Sequence, residues 1–255
     1  MSKLIRRTVR KLLARTRWER ERRGRDPFLV TQRLVTKPEP VIFDVGAHVG
    51  ETAARYRALF PGALIHSFEP YPPSYEALRA AFGADRRVVP HNAAVAATTG
   101  TAKLRVNRAS VTNSLLDSDR RGSDYWGSNL FDTAQEIEVK TLALDDFCRD
   151  ERIEHVDVLK IDVQGAEYAV LEGAHVLLER HAVDVIYLEM IMAPSYVGQR
   201  KYHYYLTSLD ALGYELFDLF NLGRRDGRLI QSDGIFVARG VLDRYESGMR
   251  AARAT

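Results

Sequence analysis

Residues 41–52 read VIFDVGAHVGET. A short apolar run leads into Asp44, Gly46 and Gly50 bracket a tight turn, and a helical pattern starts at once. Glycine lets the backbone turn sharply and lets a ligand come close. The helix that follows turns unpaired N–H groups and a partial positive charge toward the turn, a setting for a carboxylate or phosphate. A strand–turn–helix unit of this kind opens a Rossmann-like α/β domain.

The second strand supports that reading. Nineteen residues after Gly50, the run LIHSF ends at Glu69, and an acid at the tip of strand two is where Rossmann-type folds grip ribose hydroxyls. A dinucleotide fingerprint would require G-x-G-x-x-G. Here His48 stands at the middle glycine and Glu51 follows Gly50. Asp44 would repel a pyrophosphate but suits the ammonium of an amino acid. A ribose at one end and a zwitterion at the other describe S-adenosylmethionine.

Outward from this unit, strand and helix patterns alternate. Strands are expected at 41–45, 64–68, 88–95, 156–163 and 183–190, and helices at 51–59, 74–82, 166–180 and 202–212. Segments 101–106 and 137–142 look extended and flank a long polar loop, 108–136, of the kind that covers binding sites. Runs 214–220 and 234–238 pair around Asp226-Gly227 with no helix between them. The expected fold is α/β, a Rossmann-like class I methyltransferase fold: a mainly parallel seven-stranded sheet with an antiparallel edge hairpin.

Composition limits the alternatives. Of 255 residues, 45% are hydrophobic and 28% charged, ordinary for one globular domain. Cys148 is the single cysteine, which excludes a disulfide framework and a thiolate zinc site. No apolar run approaches the ~20 residues that span a bilayer, and the N-terminus lacks a secretory pattern, so a cytoplasmic location is expected. The net charge of +3 is unevenly spread. Residues 1–25 hold eleven Lys and Arg against two acids, a net +9, while the rest hold 26 basic and 32 acidic side chains, a net −6. The chain therefore divides into a basic helical arm (1–37), a Rossmann-like domain (38–243) and a C-terminal tail (244–255). The arm reads either as a solvated helix or as a peripheral contact with the anionic inner face of the membrane.

Several further motifs fall in order along the chain: FEP (68–70), NAAV (92–95), TNSLL (112–116), TLALDDF (141–147), LKIDVQGAEYAVLEGA (159–174), YLEM (187–190) and LGYEL (212–216). With FDVGAHVG (43–50) they resemble the FkbM-type methyltransferase family over roughly residues 40–240. The resemblance implies O-methyl transfer from S-adenosylmethionine in glycan or natural-product biosynthesis. The expected cofactor residues are Asp44, Gly46, Gly50, Glu69, Asn92, Asp162 and Gln164, with His48 either touching the methionine end or filling space, and Asn113 and Ser114 reaching the cofactor or the acceptor. This chain departs from the family pattern at His48, where Asn is usual, and at Gln164, where Glu is usual.

Methyl transfer to a hydroxyl needs alignment of oxygen, carbon and sulfur and an acceptor for the proton. Asp162 ends one central strand and Glu189 its neighbour, so both are catalytic candidates. Asp162 and Glu167 also stand where acids cap helices. Asp162 and Glu189 together suit a divalent cation, which the sequence leaves open and does not require. The stretch 196–199 reads as a second lid or as an ordinary turn. The expected acceptor is a small molecule, a sugar or a lipid-linked glycan. A nucleic-acid or protein methyltransferase is the rival enzyme; an acidic body without an N-P-P-Y-like motif argues against it. A catalytically silent nucleotide-binding scaffold is the rival from another class, and methyl-label transfer separates it from an enzyme.

Overall fold

Seven strands form the central sheet of the computed structural model, which describes residues 26–127 and 130–254. In chain order the elements are α1 (Pro27–Leu34), β1 (Val41–Val45), α2 (Glu51–Leu59), β2 (Leu64–Phe68), α3 (Pro72–Phe82), β3 (Val88–His91), β4 (Ala94–Val95) and β5 (Gly100–Asn107). Next come α4 (Gly122–Trp126), β6 (Thr133–Leu142), α5 (Leu144–Glu151), β7 (Val156–Ile161), α6 (Glu167–Glu172) and α7 (His175–Glu179). The chain ends with β8 (Val183–Ile191), α8 (Tyr202–Ala211), β9 (Tyr214–Arg225), β10 (Arg228–Ala238) and α9 (Arg239–Ala254).

The sheet order is β3-β2-β1-β7-β8-β10-β9. The first five strands pair in parallel, and β10 runs antiparallel to both β8 and β9. The Rossmann-like α/β sheet with an antiparallel edge hairpin is thus present. Every residue of β7 is buried, as expected for a strand covered on both faces. The outcome for the arm is mixed. Residues 1–25 lie outside the described residues, but α1, grouped with the arm, buries Phe28, Val30 and Leu34 in the main core. Burying such side chains contributes about 1.5–3 kcal/mol each, so this helix belongs to the domain. At the other end, α9 runs through the expected boundary at residue 243 without a break.

Two other expectations change. The expected strand 88–95 divides after His91, and Ala94–Val95 joins β6 and β5 in a separate three-stranded sheet, order β4-β6-β5. The expected helix 166–180 breaks at Gly173, where an added Cβ would meet the Ala96 carbonyl oxygen at 2.1 Å. The small sheet therefore presses against the helical layer at the one residue that leaves room for it. Loop 108–136 is shorter than expected, because it contains α4 and gives way to β6 at Thr133.

Candidate active site

The carboxyl ends of β1, β2 and β7 are joined by backbone hydrogen bonds. Gly46 N and Ala47 N both donate to Phe68 O at 3.0 Å, and Asp162 N donates to Val45 O at 3.0 Å. Gly46, at φ +80°, lies so close to Asp162 that a Cβ would stand 1.8 Å from its carbonyl oxygen. Only glycine permits this approach, which brings the turn and Asp162 onto one wall.

That wall bounds a cleft of about 280 Å³. Gly46, His48, Glu69, Asn113, Ser114, Asp162 and Gln164 all line it. Glu69 accepts from His48 N at 2.9 Å and Tyr71 N at 2.8 Å. A carboxylate has about four lone-pair positions, so it retains capacity for hydroxyl donors. Burial pushes its carboxyl up to about 7, against the pull of those two N–H groups. Asn113 uses its carbonyl oxygen on Asn107 N at 2.9 Å, while its buried Nδ2 has no protein partner. An unsatisfied donor on a cleft wall fits a bound acceptor atom, as S-adenosylmethionine would provide.

Three other expected cofactor residues lie behind the wall. Gly50 packs under Leu78 and Phe82. Asn92 donates to the carbonyls of Glu69 and Pro70 at 3.0 and 3.2 Å, shaping the rim from outside. Asp44 is fully buried, and its nearest charge is Lys160 Nζ at 3.6 Å. The ammonium expected at Asp44 is thus supplied by the protein itself, across the β1–β7 register pair Asp44–Lys160. Sequence reasoning missed Lys160, although a cation inside the apolar run VDVLKI was a visible signal.

Lys160 also stands 3.4 Å from Asp162 Oδ2. Burial pushes the Asp162 carboxyl up, but Lys160, the Gln164 amide and Glu189 outweigh it and hold Asp162 below the usual carboxylate range. Glu189 is itself absent from the wall. It sits behind Gln164, accepting from Gln164 Nε2 at 2.9 Å and Gln231 Nε2 at 2.6 Å, and Gln164 Nε2 also donates to Asp162 Oδ1 at 3.0 Å. Burial first, then the Asp162 charge, push its carboxyl well above the usual range. The surroundings thus favour the charged form of Asp162 and the neutral form of Glu189. Gln231 had no readable signal, since only the β8–β10 register brings it here.

Glu167 accepts from Gly165 N at 2.9 Å and Val163 N at 3.2 Å and is fully buried, so it braces the turn. The two expected lids meet: Tyr196 donates to Thr112 O and Gln164 Oε1, both at 3.0 Å, and Ser114 Oγ donates to Gln164 O at 2.7 Å. His48 Nε2 lies 3.1 Å from Ser110 Oγ, tying the glycine turn to the same cover.

The methyltransferase FkbM domain matches residues 44–216. The chain belongs to the FkbM methyltransferase family. It is therefore an S-adenosylmethionine-dependent methyltransferase. Among similar proteins, the 2-O-methyltransferase NoeI of Sinorhizobium fredii is 30% identical over 172 residues, 65% of this chain and 69% of that one. The 31-O-demethyl-FK506 methyltransferase FkbM of Streptomyces tacrolimicus is 29% identical over 178 residues, 58% of this chain and 68% of that one. The crystal structure of an FkbM methyltransferase from Methylobacillus flagellatus has a TM-score of 0.51 at 13% identity, covering 78% of this chain. This chain spans 44% of that longer one, and the likeness shows a shared fold.

Proposed function

We propose that this FkbM-family enzyme methylates a hydroxyl group of a sugar, glycan or natural-product acceptor, with Asp162 as the proton acceptor. One observation carries the reading: the Asp162 carboxylate opens onto the cofactor cleft, its side chain 37% exposed and 3.4 Å from the Lys160 ammonium, while Glu189 is buried behind Gln164. The two relatives, a 2-O-methyltransferase and a 31-O-demethyl-FK506 methyltransferase, support the choice of oxygen.

When bound, S-adenosylmethionine supplies a methyl group on a positively charged sulfur. Gly46, His48, Glu69, Asn113 and Gln164 would hold it. Asp162, facing the cleft, would take the proton that the acceptor hydroxyl releases on methylation. Lys160 and Gln164 keep Asp162 charged and oriented before that moment. Lys160 also supplies positive charge at the place where a divalent cation would otherwise balance two carboxylates. The rate should accordingly survive EDTA.

The test is transfer of a methyl label to nucleotide sugars, lipid-linked glycans and polyketide alcohols. A labelled ether product is expected. Label on nitrogen or carbon, or none on any acceptor in folded protein that binds S-adenosylhomocysteine, overturns the oxygen assignment. Calorimetry checks the cradle separately: Glu69→Ala should weaken S-adenosylhomocysteine at least about tenfold, about 1.4 kcal/mol.

A further inference from the structure

We propose that the surface beside the cleft that carries Val111, Val197, Arg200, Lys201, Tyr202 and Tyr204 seats on an anionic lipid bilayer. This goes beyond the methyl-transfer reading and does not depend on the acceptor's identity. Val111 is 59% exposed while lining the cleft, and Val197 is 57% exposed at the tip of the neighbouring loop. The two loops are held side by side, since Tyr196 donates to Thr112 O and Val197 N donates to Asp117 O at 2.7 Å. Tyr202 and Tyr204, at the start of α8, are 48% and 40% exposed. Arg200 lies 5.0 Å from the Tyr168 and Tyr204 ring centres, its charge free of any acidic partner among the described residues.

Charge selects the occupant. From Met192 to Leu209 the chain has no Asp or Glu, although the part beyond residue 25 carries a net −6. Asp117, in the adjoining loop, is neutralised by Arg105 at 2.8 Å. Aliphatic loop tips ringed by tyrosine and by long cationic side chains match the layering of a membrane interface, with hydrocarbon inward and Tyr, Lys and Arg at headgroup depth. The +9 of residues 1–25 adds attraction of the same sign.

The experiment uses the full chain carrying Val197→Cys labelled with a polarity-sensitive fluorophore. Cys148 is buried and its thiol is pushed up to about 12 by that burial, so labelling is confined to position 197. Vesicles containing phosphatidylglycerol should shift the emission to the blue, and pure phosphatidylcholine vesicles should not. Arg200→Glu with Lys201→Glu, both on the exposed surface, should weaken co-sedimentation with the anionic vesicles about tenfold or more. Sedimentation with unchanged emission would show that the N-terminal arm alone holds the bilayer and would overturn the proposal. Absence of sedimentation at low salt would overturn it equally, as would an unaffected double charge variant.

Discussion

The proposed role of Asp162 rests on what surrounds it within one strand spacing. Replacing it with Asn keeps its shape and removes its charge, so S-adenosylhomocysteine affinity should hold while methyl transfer falls by about 10²–10⁴. Retained activity would make Asp162 a structural residue. Lys160→Met gives the converse test. Without the ammonium, Asp162 gains protons more readily, so the acid limb of the pH–rate profile should move to higher pH; Asp162 titrates with Glu189, and the limb reports the pair. Lys160→Arg keeps the charge and should restore the limb toward its original position if charge is what matters. Seven of the ten expected cofactor residues line the cleft. The others show what spacing alone does not reveal. Asp44 reads as a ligand from chain order, but strand register decides its partner, and register placed Lys160 opposite it.

At the scale of elements, apolar runs flanked by glycine were legible because burial on both sheet faces leaves no polar phase to confuse them. The short helices α1 and α5 were not, since eight residues of mixed polarity acquire their meaning only from what they touch. The break between α6 and α7 is likewise a tertiary event, caused by the Ala96 carbonyl beside Gly173. Gly173→Ala should cost about 1–3 kcal/mol in urea unfolding, since either the small sheet or the helical layer must move. Strands β2 and β3 carry a second dependence. His66 Nδ1 and His91 Nε2 lie 3.0 Å apart, their rings stacked and packed edgewise on Phe147. Burial lowers both to about 4, from the usual 6.5. The unfolded chain thus binds protons that the folded chain refuses: stability is complete above pH ~6.5 and is lost as pH falls toward ~4. A double His66→Phe, His91→Phe variant should lose less melting temperature than the parent between those limits.

For the whole molecule, charge is divided: residues 1–25 carry a net +9 and the rest a net −6. The described domain has α1 packed in its core from Phe28 onward, so deleting residues 1–25 should preserve S-adenosylhomocysteine affinity and the melting temperature. If the arm aids attachment, the deletion should reduce co-sedimentation with anionic vesicles, more at low than at high salt. No helix among the described residues is long and apolar enough to cross a membrane. A loss of cofactor affinity on deletion would instead place the arm within the working domain.

The position of β10 has a consequence for how the protein is made. This strand lies between β8 and β9 yet is synthesised after both. Until Arg228–Ala238 has left the ribosome, β8 keeps an open hydrogen-bonding edge, and Glu189 waits without Gln231. At about 5–20 residues per second that interval is several seconds long. A nascent chain stalled just before residue 228 would therefore display a sticky, half-finished sheet, and a chaperone that shields strand edges would find its client there.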